Sequence, residues 1–247
     1  MPNHRSESEV RSAAAISEVD ALARERVGIP LSHAESLLRR VTGPKPADID
    51  SGDWEHEVNS TLNALRAQEE MPSGFTDTLV DMAQIHADPV LRLYALQHLS
   101  FLHERENADG KARITNLFTT LAADDAGPMA GTAILMLSDL QRAGASLDAA
   151  AIDTRAMALA TSPQARHDVR VSAIHACVDR QIAAFLPEAR RIAFDTTLPT
   201  VVRKAAIHAV GRMGDATDIA LLEPLGKTIT LAPALTPALA SLESRRN

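Results

Sequence analysis

Along the second two-thirds of the chain, apolar residues recur at three- and four-residue steps in short segments that each stop at a breaker. The spacing is that of one face of an α-helix. GFTDTLVDMAQIHA (74–87) runs into Pro89, ARITNLFTTLAADDA (112–126) into Gly127 and Pro128, LDAAAIDTRAMALA (147–160) into Pro163, and FLPEARRIAFDTTL (185–198) into Pro199. Proline at or just before a first turn ends one helix and presets the start of the next. A second amphipathic segment follows each breaker, so the unit predicted is helix A, tight turn, helix B. DIALLEPLGKTI and LTPALASLESRR form a fifth, atypical pair at the C-terminal end. Upstream, EVRSAAAISEVDALARERVG, LSHAESLLRRV and DWEHEVNSTLNALRAQEE read as N-terminal helices, the last two divided by the loop TGPKPADIDSG.

The second segments repeat one another. VRVSAIHAC at 169–177 and VRKAAIHAV at 202–210 share six residues in nine. The common frame is an aliphatic residue four before a small anchor, Arg three before it, and an apolar residue four after. Leu91, Arg92, Ala95 and Leu99 fit it, as do Met129, Ala133 and Leu137, with Ala130 where Arg belongs. The anchors Ala95, Ala133, Ala173 and Ala206 stand 38, 40 and 33 residues apart, the period of a helical-pair solenoid. One pair cannot bury its own apolar stripe, so neighbours must stack.

Composition agrees and adds two constraints. Hydrophobic residues make up 45% of the 247 and aromatics 3%, with Ala and Leu, both strong helix formers, supplying most of the apolar set. The class predicted is all-α. The net charge of −7 is uneven, since residues 51–125 carry five basic against thirteen acidic side chains and residues 126–247 thirteen against eleven. The acidic stretch repels nucleic acid and attracts a basic protein or peptide. Cys177 is the single cysteine, so no intramolecular disulfide and no multi-cysteine zinc site can form, and its frame position is in the core. The N-terminus shows no apolar signal region and no run suits a membrane span, which makes a cytoplasmic protein the default.

From Pro72 to Asn247 the phrases DPVLRLYALQHL, HDVRVSAIHAC and LPTVVRKAAIHAVGRMGD resemble HEAT repeats, down to the Gly–Asp after the helix; GPMAGTAILML departs by lacking Arg. The resemblance implies a right-handed α-solenoid of stacked antiparallel helix pairs that binds macromolecules, usually proteins, through its inner surface. Residues 1–71 then form an N-terminal segment and helical cap, and 72–247 the repeats, in one continuous solenoid.

Within this frame Val169, Ala173 and Cys177, like Val202, Ala206 and Val210, face the core. Arg92, Arg170 and Arg203 stand near the start of helix B, where a cation is disfavoured unless a carboxylate answers it. A structural ladder between repeats is expected, with Asp168 as partner for Arg203. Positions −1, +2 and +6 from each anchor point away from the core: Tyr94, Gln97 and Phe101; Thr132, Leu135 and Asp139; Ser172, His175 and Asp179; Ala205, His208 and Arg212. As second helices usually line the concave face of a solenoid, these residues form the candidate binding surface, aromatic at one end and mildly cationic at the other.

Catalytic alternatives find less support. His175 and His208 suggest a metal or acid–base pair, but both come with the repeat and Asp179 is the only nearby carboxylate. HEAT-like di-iron hydroxylases carry recurring His–Glu pairs; here His56–Glu57 and His103–Glu104 do not recur, with Gln141, Gln181 and Gly214 at the later positions. A HEAT-like DNA glycosylase needs a basic groove, and this chain is acidic with Trp54 as its one indole. No phosphate loop, HExxH or GxSxG motif occurs. The expectation is a non-catalytic interaction module without cofactor or metal, with a protein or peptide partner and no nucleic acid or membrane. A metal-dependent or lyase-type enzyme on the same scaffold is the alternative, and a purely architectural domain, self-associating through ITLAPALTPALASL, is a third reading.

Overall fold

A computed structural model describes residues 28–245, and among these the chain is helical with no strand. Twelve α-helices occur in the described residues: α1 (Leu31–Val41), α2 (Ser51–Arg66), α3 (Phe75–Ile85), α4 (Pro89–Leu102), α5 (Ala108–Ala123), α6 (Ala130–Arg142), α7 (Ala149–Thr161), α8 (His167–Asp179), α9 (Leu186–Phe194), α10 (Thr200–Met213), α11 (Thr217–Leu222) and α12 (Ala232–Ser244). Each segment expected from periodicity is present, except that EVRSAAAISEVDALARERVG falls outside the described residues apart from Gly28. The helix starts follow local chemistry. Asp50, Asp88 and Asp148 are N-caps whose side chains accept from the backbone N–H of Gly52, Val90 and Ala151, and Pro89 opens α4.

The described residues form two compact units, which divide between Ile114 and Thr115, within α5. In the first, α1 packs on α2, α2 on α4, and α3 on α4. In the second, α7 packs on α8 and α9 on α10, while α6, α8, α10 and α12 form a row in which each helix touches the next. The anchors Ala95, Ala133, Ala173 and Ala206 are all fully buried, as are Cys177 and Val210 one turn beyond two of them. Small residues set the spacing of the row. A Cβ on Gly131 would stand 2.8 Å from the Ser172 Cβ, and one on Gly211 2.6 Å from the Ala238 Cβ, so these helices meet at distances that only glycine permits.

The repeated arginines do not pair with acids. Arg92 Nε donates to the Ala83 carbonyl at 2.8 Å, Arg170 Nε to Ala160 at 3.1 Å, and Arg203 Nε to Ala193 at 3.0 Å. Each acceptor lies in the last turn of the helix just before, on α3, α7 and α9. Asp168, expected opposite Arg203, is exposed and binds Arg166 two residues away. The reason is the tight turn: it sets the start of helix B beside the end of helix A, where carbonyls lack helical partners and the macrodipole is negative. An arginine poorly placed for its own helix is therefore well placed for its neighbour. Where Ala130 replaces Arg, the task passes to Arg155 of α7, whose Nε donates to the Ala122 carbonyl in the last turn of α5 and whose guanidinium also meets Asp125.

Arg170 and Arg203 are buried, so removing either guanidinium strands a carbonyl in the core. Arg203→Met is expected to cost about 1.5–3 kcal/mol, the range for hydrogen bonds to charged groups, in urea unfolding followed by circular dichroism. Asp168→Ala should change little. Equal effects of the two would restore the carboxylate ladder.

Candidate functional site

The frame places the candidate surface on α4 in the first unit and on α6, α8 and α10 in the second, and the +2 and +6 positions behave as a solvent face. Gln97, Asp139, His175, Asp179, His208 and Arg212 are exposed, Phe101 is 60% exposed, and Leu135 is half-buried. The −1 positions are not part of that face. Tyr94, Thr132 and Ser172 are half-buried and Ala205 is buried, and in α8 this flank turns toward α6, where Ser172 meets Gly131.

In the first unit, Phe101 carries the Arg66 guanidinium over its ring at 4.4 Å from the centroid. Arg66 belongs to α2, and the end of that helix is tied down by Arg105, whose guanidinium donates to the Arg66, Gln68 and Glu69 carbonyls. The exposed aromatic thus has one face backed by a held cation and the rest open. Beneath it His98 is buried, its Nε2 3.3 Å from Asn59 Oδ1 on α2. Burial, with the Arg66 charge adding to it, lowers the His98 pKa to about 4.

In the second unit, His175 of α8 and His208 of α10 come together with ring centroids 5.8 Å apart and planes tilted by 54°. The His208 pKa lies below the ordinary imidazole value, through burial first and then the charges of His175 and Arg212, with Asp179 opposing. Asp139 is engaged by Arg142 one turn along α6. Cys177, beneath this face, is fully buried, and burial pushes its thiol up to about 12, the setting of an inert core thiol. The His–Glu pairs weighed above do not converge: Glu57 is buried and bound to Arg40 at 2.6 Å, and Glu104 is exposed. Among the described residues no three His, Cys, Asp or Glu side chains are gathered at metal-binding distance.

One feature has no counterpart in the repeat frame. A largely apolar cavity of about 440 Å³ opens between α5, α6 and α7, with Thr119, Ile134, Leu137, Leu147, Ile152 and Arg155 among its lining. The hollow forms between the successive first helices α5 and α7 and is closed by the second helix α6, at the repeat that lacks its own arginine.

No helix among the described residues is long and apolar enough to cross a membrane. No protein-family model, curated protein or solved structure matches the chain.

The buried histidines make stability pH-dependent with a defined sign. His98 has a folded pKa of about 4, below the model-peptide value of about 6.5. Its neutral form stabilises the fold fully above pH 6.5, and the contribution is lost as pH falls toward 4, where the unfolded chain takes up the proton first. The integrated loss is about 3 kcal/mol. His103, buried and shifted the same way, adds to it. Urea midpoints measured from pH 7 to pH 4 should fall for the wild type and fall less for His98→Gln. An identical slope would assign the acid sensitivity elsewhere.

Proposed function

We propose that this protein is a non-catalytic interaction module, each unit being a stretch of right-handed α-solenoid of HEAT-like repeats whose second helices present the binding face to a partner protein or peptide. The observation that carries the reading is the frame itself: the +2 and +6 positions of successive second helices, Leu135 apart, stay open while the −1 flank of the same helices is half-buried or buried. Row packing of α6, α8, α10 and α12, with first helices α7 and α9 against α8 and α10, is the packing a helical-pair solenoid requires. The partner carries a basic segment, drawn by the exposed acids of the first unit, including Asp53, Glu69, Glu70, Asp81, Glu104 and Asp109. Phe101, on its Arg66 support, offers the type of anchor that dominates interfaces.

The test uses Phe101→Ala with Gln97→Ala, since both side chains are exposed, whereas Tyr94 is half-buried and its removal would perturb the fold. Partners captured from lysate by the wild type are identified and their affinity measured against the variant at two salt concentrations. The expected result is a loss of at least about tenfold, the scale of an anchor residue, with unchanged melting, and wild-type affinity that falls as salt rises. Unchanged affinity in the double variant overturns the second-helix face as the working surface.

A further inference from the structure

We propose that His175 and His208 form an open two-histidine site for a borderline divalent cation of the zinc class. The repeated phrase AIHA puts a histidine at the same helical position in α8 and α10, and these helices are neighbours in the row, so the repeat delivers two imidazoles to one spot. Two imidazoles on one tetrahedral cation, with metal–nitrogen bonds of about 2.0–2.1 Å, hold their ring centres about 5 Å apart. The observed 5.8 Å is within a rotamer adjustment of that, and the 54° tilt keeps the rings out of a stack, so that one nitrogen of each can turn to a shared point. Both side chains are exposed, which leaves a path for the cation and room for water in the remaining coordination positions.

The ligand form is the neutral imidazole. Asp179, one turn along α8 from His175, offsets the Arg212 charge that a cation would otherwise meet. Imidazole donors suit zinc, copper and nickel rather than magnesium or calcium, which selects the class. With two protein ligands the site is exchangeable, unlike the closed four-ligand sites that hold structural zinc.

The inference is independent of the docking reading and is tested on the full chain by calorimetric titration with Zn²⁺ at pH 7.5. The expected result is one equivalent bound. His175→Ala and His208→Ala should each weaken binding by more than the roughly 10-fold that loss of an outer-shell partner costs. The double variant should bind no more weakly than either single, because a chelate needs both rings. The wild-type melting temperature should rise with zinc and that of the variants should not, while all melt alike without metal. No isotherm for the wild type, or an isotherm unchanged in either single variant, overturns the site.

Discussion

The fold depends on one recurring contact, an arginine side chain reaching across a tight turn to the free carbonyls at the end of the preceding helix. A helix pair joined by a short turn has two weak points, the unpaired carbonyls of the first helix and the freedom of the turn to splay. A guanidinium anchored at the start of the second helix addresses both, because its planar donors satisfy a carbonyl while its stem fixes the distance between the helices. Arg92, Arg170 and Arg203 do this for their own pairs; where the arginine position holds Ala130, Arg155 of the next first helix, α7, reaches the Ala122 carbonyl instead, without spanning the turn. The contact also determines what the turn can be: Asp88, with Pro89, starts α4 and Pro199 precedes α10, so chain direction reverses within reach of one side chain.

Much of this was legible in the chain because repetition converts a local phrase into a statement about packing. The aliphatic, small and apolar positions of the frame are the buried ones, from Leu91 through Val210. The Gly–Asp that follows the last clear repeat also acquires a reason. Asp218 is buried, pairs with Arg190 at 2.7 and 2.9 Å and accepts from the Asp215 N–H, and a Cβ on Gly214 would stand 2.2 Å from its Oδ2. Gly214 has an ordinary φ of −76°, so space rather than backbone conformation demands glycine there.

What stayed hidden were contacts whose partners are backbone atoms or lie outside the frame. Carbonyl acceptors leave no mark in a sequence, since every residue has one and only three-dimensional placement exposes the unpaired few. Arg155 belongs to a first helix and so has no position in the repeated second-helix phrase. The covered flank at Ser172 was hidden for another reason: helical geometry assigns a face to one helix, whereas its width depends on how closely the next approaches, and Ser172 of α8 meets Gly131 of α6 where a Cβ would not fit.

The two histidines show how a structural repeat can produce chemistry without a catalytic motif. Selection for a stacking phrase fixes a small anchor and its flanking apolar residues, and leaves the +2 position free to vary because it faces solvent. When the same residue occupies that position in adjacent repeats, the row spacing alone sets the distance between the two copies. For leucine or glutamine such a pair is only surface; for histidine it is two lone pairs at near-chelating distance, 5.8 Å between rings. The packing of α8 on α10 is therefore also what brings His175 and His208 within reach of one ion.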